Sequence, residues 1–504
     1  MGYYDFPHTR NYDQDLGFLI KQYKELGKDY ETLVKIYEKI QKDITNITLN
    51  QLKEWLDDGI FNSIIDSYFF NGLYFNVLYP PNGMEPLIKY DTSSEAMKKN
   101  SQLLQQYITY LSSLSENNRG VIYFPKGNYF FSDSIFINNK QIQLQGEGTA
   151  LVNLIYSNPT NTFITVNGSS NNILNYFSMK NLALQYAFYP NAYFTTEPDV
   201  ISNKLLEIKY CQYSTIEECI FYYSHILVEL DNSYGVRFIN SQLQGNSNTL
   251  YGCNVINRVD SSIFNNVKAT NRDNVDSIAF RIVGTNSVKD IQLLSCETNG
   301  WKVGFQLDGS KTNFPVNVML NNCICDKFFN RGISITNTPQ NSCIVIDGGW
   351  GQQSSTITQN NSCNIIYLGK VQNITITNFQ FNINQNFSVI TPLYLNECRN
   401  IVVNSNVFVN GYRNIYSNSS RFITINGNSF KNLNNAQNEP SILFVNGLYC
   451  NVVNNTFDGK YSYFLMSINN SNLFLVNGNI VLKDSVGSYQ LTGANNEIGV
   501  NIVP

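Results

Sequence analysis

Charge and long apolar runs are both scarce in this 504-residue sequence. Charged residues make up 14% of it and the net charge is only -4, so there is no basic footprint for nucleic acid. No apolar run approaches the roughly 20 residues of a membrane-spanning helix, and the start, Met1-Gly2-Tyr3, lacks the features of a signal peptide. We therefore expect neither a nucleic-acid partner nor membrane insertion. No motif points to a metal or any other cofactor.

Paired cysteine motifs are also missing. The sequence has ten cysteines, none of them in a Cys-x-x-Cys pair. Several, such as Cys219, Cys296 and Cys323, fall where a repeat described below places a core residue. We expect buried free thiols and not disulfides, in a protein that folds in a reducing cytoplasm.

What is abundant is a short repeated phrase that recurs from Ile135 onward. Each copy is an alternating apolar run that ends in Asn and a large apolar residue, as in 374–379, 401–408, 423–430 and 473–480. Successive copies lie roughly 22 to 29 residues apart, a period typical of solenoids. Alternation with period two makes each copy a strand, and each coil must bury its inner face against the next. The sequence therefore predicts a β-solenoid.

A different period occupies the N-terminal residues 1–47. Apolar residues from Leu19 to Ile47 alternate in steps of four and three, the a/d pattern of a coiled coil, for roughly four heptads. Tyrosine at position a is wide for a dimer, so we interpret this segment as a trimerising coiled coil. The alternative is an amphipathic helix that folds onto its own chain.

Two further helices are predicted before the solenoid. Thr48 opens a helical connector over 48–85, with Gln51 as its capping-box partner. An amphipathic helix at about 93–114 would cap the open end of a solenoid that spans 86–504. Within the solenoid, residues 188–198 contain two prolines and interrupt the repeat. We expect them to form a loop on the binding face.

Two segments carry a family resemblance. Residues 120–129, Gly-Val-Ile-Tyr-Phe-Pro-Lys-Gly-Asn-Tyr, resemble the opening coil of the pectate-lyase-like right-handed parallel β-helix superfamily, which follows a capping helix. Residues 143–148, Gln-Leu-Gln-Gly-Glu-Gly, are similar to the Leu-x-Gly-x-Gly strand end of the same family. The resemblance implies an all-β fold, a single-stranded right-handed parallel β-helix, here behind an N-terminal α-helical coiled-coil segment.

A β-helix behind a coiled coil looks like bacteriophage tailspikes and preneck appendages. Residues 51–59, Gln-Leu-Lys-Glu-Trp-Leu-Asp-Asp-Gly, resemble connectors in tail proteins of phages of Gram-positive hosts. This implies a homotrimer, made in the host cytoplasm and attached to the virion tail through its N-terminal segment, that grips and often cleaves cell-surface polysaccharide. The Gly-His-Gly of polygalacturonases does not carry over, because His8 and His225 stand in other contexts. No lyase set of Arg and Lys matches either.

Candidate chemistry comes from aligning the coils on their turns. The alignment places Glu207, Glu229 and Arg281 in one outward column. The next outward column holds Lys209, Asp231 and Asp308. Neighbouring strands are about 4.8 Å apart, so the two glutamates would face each other at close range. Facing like charges are destabilising unless a cation bridges them, one is protonated, or the pair does work.

Two carboxylates are what glycoside hydrolysis needs, about 5 Å apart for retention or roughly 6.5–9.5 Å apart for inversion. Either Glu207 with Glu229 or Glu229 with Asp231 could meet that geometry. In a hydrolase, Glu229 would be the general acid, Asp231 or Glu207 the base or nucleophile, and Arg281 would bind an acidic sugar. The alternative is a solvated charged face that Lys209 and Arg281 neutralise.

A second candidate group combines acids with indoles. Its acids are Asp273, Asp276, Glu297, Asp326 and Asp347. Trp301 and Trp350 follow glycine turns and are predicted to stack on sugar rings, with Asp308 as a further substrate-binding residue. The alternative is that each Trp fills a corner of the helix.

The leading interpretation is a phage tail appendage that recognises host cell-surface polysaccharide and depolymerises it as a glycosidase. A non-enzymatic adhesin or structural tail component of the same fold is one alternative. A polysaccharide lyase is the other.

Overall fold

A computed structural model gives the fold over most of the chain. It describes residues 74–80, 83–113, 120–138, 141–187, 201–271, 276–312, 314–354, 363–383, 390–411, 413–432, 439–459, 466–482, 489–492 and 495–499. The predicted coiled coil at 1–47, most of the predicted connector and the interruption at 188–198 lie outside these residues.

The described residues form one helix and 43 strands. In chain order they begin with β1 (Tyr74–Asn76), α1 (Ser94–Ser113), β2 (Gly120–Phe124), β3 (Gly127–Phe131), β4 (Ile135–Ile137), β5 (Ile142–Gly146), β6 (Val152–Tyr156), β7 (Thr162–Asn167), β8 (Leu174–Asn175), β9 (Ser178–Lys180), β10 (Ala183–Tyr186), β11 (Lys204–Lys209), β12 (Cys211–Gln212), β13 (Thr215–Glu217) and β14 (Ile220–Tyr222). They continue with β15 (Ile226–Tyr234), β16 (Arg237–Ile239), β17 (Gln242–Gln244), β18 (Tyr251–Asp260), β19 (Ile263–Asn265), β20 (Lys268–Thr270), β21 (Ile278–Leu294), β22 (Glu297–Asn299), β23 (Val303–Asp308), β24 (Val316–Phe328), β25 (Arg331–Thr336), β26 (Cys343–Gln353), β27 (Asn364–Gly369), β28 (Gln372–Thr377) and β29 (Gln380–Asn382). The last are β30 (Leu393–Asn396), β31 (Arg399–Asn404), β32 (Val407–Val409), β33 (Ile415–Asn418), β34 (Arg421–Asn426), β35 (Ser429–Asn432), β36 (Ile442–Val445), β37 (Leu448–Val453), β38 (Thr456–Gly459), β39 (Met466–Asn469), β40 (Asn472–Asn477), β41 (Ile480–Val481), β42 (Tyr489–Leu491) and β43 (Glu497–Ile498).

The strands wind into three long parallel sheets, and the long strands β21, β24 and β26 each continue around a corner from one sheet into the next. Sheet I runs from β1, β2 and β5 through β13, β28 and β34 to β43. Sheet II runs from β3 and β6 through β14, β22 and β29 to β41. Sheet III runs from β4 and β7 through β11, β15, β23 and β30 to β42. This is a right-handed parallel β-helix, as predicted.

The alternation in the sequence explains where the core lies. In β31, Ile401 and Val403 are fully buried while Val402 between them is 38% exposed. Inward residues of consecutive coils stack along the axis, as in the rings of Phe408 and Phe430, whose centroids are 4.9 Å apart. One continuous core therefore extends through the β-helix, which is how a chain of this length forms a single body.

Asparagine and cysteine line the inner corner between sheets I and II. Asn406, Asn428, Asn455 and Asn479 are at most 1% exposed, and the amide nitrogen of each of the first three donates to the side-chain oxygen of the next at 2.9–3.0 Å. Cys219, Cys296 and Cys323 lie at the same corner in earlier coils, as predicted, and are buried. Every cysteine in the described part of the chain is a free thiol, and only Cys343 is exposed.

The helix α1 lies where the sequence predicts a helix, at about 93–114. Ser93 accepts from the N–H of Ala96 at 3.2 Å and begins the helix. Gln105 donates to the carbonyl of Phe136 at 3.0 Å and accepts from its N–H at 2.8 Å, which satisfies the open edge of the first coil. The strand β1 pairs with β2, so the β-helix begins by residue 74, earlier than the boundary predicted at 86. No helix in the described part of the chain is both long and apolar enough to cross a membrane.

Candidate functional site

The outer face of sheet III carries the predicted acidic residues. Glu207 of β11 pairs directly with Glu229 of β15, and Lys209 pairs with Asp231. Arg281 lies two coils beyond Glu229 in the same outward column. The predicted register is confirmed residue by residue. What the residues do remains a prediction.

A lysine bridges the two facing glutamates. The Lys204 ammonium donates to Glu207 Oε1 at 2.8 Å and also to Glu229 Oε1. Burial by itself lowers the pKa of Lys204, but the hydrogen bonds and the charges of both carboxylates outweigh it and raise the pKa. Lys204 is therefore a cation at neutral pH, and it offsets the repulsion between the carboxylates. This is the cation-bridged arrangement that facing glutamates require, with Lys204 in the role expected of Lys209 and Arg281.

Glu229 is held from the other side as well. It is 5% exposed, and Asn254 donates to its Oε2 at 2.6 Å. Arg281 donates to Asn254 Oδ1 at 2.9 Å and lies 4.9 Å from the ring centre of Tyr251. Arg281 thus reaches Glu229 only through Asn254. Both oxygens of Glu229 accept hydrogen bonds within the protein.

Asp231 forms a separate group in the next column. It is 4% exposed, and its Oδ1 accepts from Asn232 at 2.8 Å and from Asn257 at 2.6 Å. Lys209 lies 3.4 Å from its Oδ2. The side chain is fully engaged, so Asp231 positions two asparagine amides at this corner of the helix.

Asp308 lies three coils from Asp231, roughly 14 Å along the sheet. Burial raises the pKa of Asp308, but hydrogen bonds from Asn337, Ser310 and Thr336 outweigh it and hold the pKa below its ordinary value. Asp308 is therefore an anion that ties together a turn, and the structure does not bring it to the Glu207–Glu229 pair.

The outer face of sheet III is more sheltered than that of sheet I. Its outward column includes Thr165, Glu229, Asn254 and Ser334, which are at most 8% exposed. The matching sheet I column, from 178 to 475, is half-buried or exposed throughout its described residues. Polar side chains, among them Lys204 and Arg281, line this face along the helix axis.

Farther along the same column is a tyrosine ladder, defined as Tyr367, Tyr394 and Tyr416. The three residues are paired in consecutive coils and are half-buried. Their ring centres are 5.5 Å and 4.8 Å apart. The ladder continues the acidic part of the face with flat aromatic surface.

The prediction that Trp301 stacks on sugar is wrong, because its side chain is completely buried. The residue before it, Gly300, has φ +76°, and a Cβ there would lie 2.1 Å from the carbonyl oxygen of Asn271. The indole turns inward beneath Gly245 and Gly252, whose missing Cβ atoms leave room for it. Trp301 therefore fills a corner of the helix, the alternative that the sequence left open.

Trp350 lies elsewhere, half-buried on the outer face of sheet II. Glu297 and Asp326 share that face. The pKa of Asp326 is raised, mainly because the carboxyl group is partly buried. Asp276 instead pairs with Lys302 at 2.6 Å near the corner between sheets II and III, and Asp347 lies on sheet I. Asp273 is outside the described residues. The second predicted acidic group is thus dispersed over several faces.

No other place among the described residues gathers comparable chemistry. An open cleft between α1 and β4 has a single carboxylate, Asp133, in its lining. Over the described ranges, no three metal-ligating side chains come together. The acidic part of sheet III therefore remains the best candidate site.

Sequence reasoning missed Lys204 and Asn254. Lys204 stands three residues before Glu207 at the corner where β11 begins, and its backbone position faces Ile226, not an acid. Asn254 belongs to the coil between Glu229 and Arg281, which the alignment of charged residues passed over. Completing the alignment through every coil would have found Asn254.

The fold defines the class: this is a parallel β-helix protein. Residues 90–326 match the family model described as rhamnogalacturonase A/epimerase, pectate lyase-like. The resemblance carried by the opening coils is confirmed, and the matched region includes the Glu207–Glu229 pair. A search of curated protein sequences gave no match.

Solved structures place tailspikes among the proteins with this fold. A mutant tailspike of the E. coli bacteriophage HK620, in complex with a pentasaccharide, is 12% identical, with a TM-score of 0.55 over 79% of this chain and 77% of that one. PfbA, a surface adhesin of Streptococcus pneumoniae, is 14% identical, with a TM-score of 0.46 over 73% and 88%. The A-module of the Azotobacter vinelandii mannuronan C-5 epimerase AlgE6 is 14% identical, with a TM-score of 0.42 over 80% and 96%. The tailspike comparison shows a shared fold.

Proposed function

We propose that this protein is a bacteriophage tail appendage that binds host cell-surface polysaccharide along the outer face of sheet III and hydrolyses it with Glu207 and Glu229. The observation that carries the proposal is the pairing of two carboxylates in register on a sheltered, elongated face with arginine and aromatic side chains beyond them. A rigid surface of this kind suits an extended glycan, because little ordering entropy is lost on binding. The tailspike that shares the fold was solved with a pentasaccharide.

The geometry favours a retaining hydrolase over an inverting one. Two oxygens that accept hydrogen bonds from one nitrogen can be at most about 5.5 Å apart, the separation of retaining carboxylates. Glu229, the more buried of the two, is the proposed general acid, and Glu207 the nucleophile. Lys204 now lies between them, so it must swing aside when a sugar enters. Asp231 is less suited to act as the base, because three donors already engage it.

A non-enzymatic adhesin is the second candidate, and one observation favours it. Every oxygen of Glu229 is hydrogen-bonded to Lys204 or Asn254, as in a neutralised structural network. A lyase is less well supported, because the raised pKa of Lys204 makes it a poor base.

The test is to incubate purified protein with capsule or wall polysaccharide of the host and to measure new reducing ends. Reducing ends that are lost in Glu229→Gln support the hydrolase. Binding without cleavage would support the adhesin, and products that absorb in the ultraviolet would indicate a lyase. No binding to any host polysaccharide would overturn the proposal.

The homotrimer, the attachment to the tail through residues 1–47 and the location on the virion belong to the same proposal. The domain division at residue 47 does too. Sedimentation of the full chain and of a chain that starts at residue 74 tests the trimer and the part that the N-terminal segment plays in forming it. The full chain should be trimeric, and loss of 1–73 should weaken or abolish the trimer.

A further inference from the structure

An arginine lies at the start of the tyrosine ladder. The guanidinium carbon of Arg331 is 3.6 Å from the ring centre of Tyr367, and its Nη1 donates to Ser334 at 3.2 Å. Tyr394 and Tyr416 extend the aromatic surface over the next two coils. This group lies on sheet III, two coils beyond Arg281 and outside the Glu207–Glu229 pair.

Arg331 has a partly buried charge without an acidic partner among the described residues. Its Nε is buried and has no hydrogen-bond partner, and no carboxylate lies within ion-pair distance, among the described residues. Burial lowers the pKa of Arg331, which shows that its charge is partly desolvated. Such a charge is costly unless something compensates it.

The missing partner is not explained by a shortage of acids. The chain has 38 acidic residues against 34 Lys and Arg. In the same region Arg413, which also lies over a tyrosine of the ladder, is paired with Glu439. Arg331 differs from Arg413 in that no carboxylate among the described residues pairs with it. An arginine fork without a carboxylate partner suits a carboxylate or phosphate group.

We propose that Arg331 and the tyrosine ladder form a binding subsite for an anionic glycan, in which the guanidinium pairs with an oxyanion and the sugar rings stack on Tyr394 and Tyr416. Arg281, the other half-buried arginine on this face without a carboxylate partner among the described residues, lies two strands away, about 10 Å along the axis. The two arginines would bind negative charges that repeat along one polymer. This inference rests on the proposed function and names the substrate class. The oxyanion is either a sugar carboxylate or a backbone phosphodiester.

Binding to defined polymers tests the subsite. Hyaluronate offers carboxylates, poly(glycerol phosphate) offers phosphodiesters, and dextran is neutral. Titration of the full chain with each polymer should show binding to one of the two anionic polymers that Arg331→Gln weakens about 10- to 100-fold, the range for one charged hydrogen-bonded contact. The anionic polymer whose affinity falls more in Arg331→Gln shows whether the bound oxyanion is a carboxylate or a phosphodiester. Added salt should weaken wild-type binding and reduce the difference between the two proteins.

Three controls separate recognition from folding. Arg237→Gln removes an exposed arginine from the outer face of sheet I and should leave binding unchanged. Tyr367→Leu removes the ring under Arg331 and should weaken binding to the same anionic polymer. Arg331→Gln should change the unfolding temperature little, because the partly buried charge that it removes has no acidic partner among the described residues. If Arg331 had a purely structural role, the same substitution would lower the unfolding temperature.

Two results would overturn the proposal of this subsite. One is equal affinity of wild type and Arg331→Gln for both anionic polymers. Another is a wild-type protein that binds neither of them, even if it binds a neutral host polysaccharide. That second outcome would leave the proposed function standing, because the host-polysaccharide assay is separate.

Discussion

Replacing Glu229 with glutamine tests the network at the candidate site most directly. Glu229 accepts from Lys204 with one oxygen and from Asn254 with the other, and it is 5% exposed. Glutamine has one oxygen and one NH2 group, so the NH2 must face either the ammonium or the amide NH2, which are both donors. The hydrogen-bond network therefore predicts a loss of stability in this variant.

The expected loss is about 2–3 kcal/mol in the free energy of unfolding, the cost of one buried unsatisfied donor and a weakened charge contact. The loss stays below that of a fully buried broken ion pair, because Lys204 keeps Glu207 and is itself partly exposed. Glu207→Gln is the matched control. That side chain is 17% exposed and bonds Lys204 alone, so its loss should be about 1 kcal/mol.

Urea unfolding, followed by circular dichroism, measures the stability of both variants, and reducing-end release measures their activity. For a hydrolase, Glu229→Gln should also lower turnover at least about 100-fold, as expected for loss of a general acid, while glycan binding persists. If Glu229→Gln were as stable as wild type while Glu207→Gln was destabilised, the hydrogen-bond assignment would be refuted. Unchanged turnover would remove Glu229 from the reaction.

Three further predictions follow from packing and charge. Asn428→Ala should lower the free energy of unfolding by about 3 kcal/mol or more, because it leaves several buried groups of the inner asparagine ladder unpaired. Asn426→Ala, two residues away on the outer face, should lower it by less than about 1 kcal/mol in the same urea titration. Trp301→Phe should reduce the fraction of tryptophan emission that iodide cannot quench and leave polysaccharide binding unchanged, and a loss of binding would restore Trp301 to the site. Because folding raises the pKa of Lys204, its ion pairs should stabilise the fold fully below the ordinary lysine pKa of about 10.4. That stabilisation should be lost as the pH rises through the higher pKa of the folded state. A Lys204→Met variant should therefore show a flatter decline in unfolding temperature above about pH 10.4.

The placement of the outward columns could be predicted because a β-solenoid couples sequence to space simply. Strands have a side-chain period of two, and each coil stacks on the one before it. Aligning the turns was therefore enough to put Glu207 opposite Glu229 and to place Arg281 two coils away. The inner positions of the cysteines and the capping helix follow from the same pattern.

Side-chain orientation at corners could not be predicted in this way. Gly300 and the pair Gly348 and Gly349 all adopt positive φ before a tryptophan, yet Trp301 is buried and Trp350 is half-buried. The difference depends on Gly245 and Gly252, which lie one or more coils earlier and leave space only beneath Trp301. A turn motif read locally does not contain that information.

By itself, the sequence determined the β-helix and the register of its coils, because period-two alternation and regularly spaced turns permit few other arrangements. Only the tertiary structure decided that Lys204 bridges the two glutamates, that Asn254 separates Glu229 from Arg281 and that Arg331 lies over Tyr367 without an acid beside it. The reason is that long, flexible side chains select their partners by reach and burial across several coils. Those distances exist only after the chain has folded.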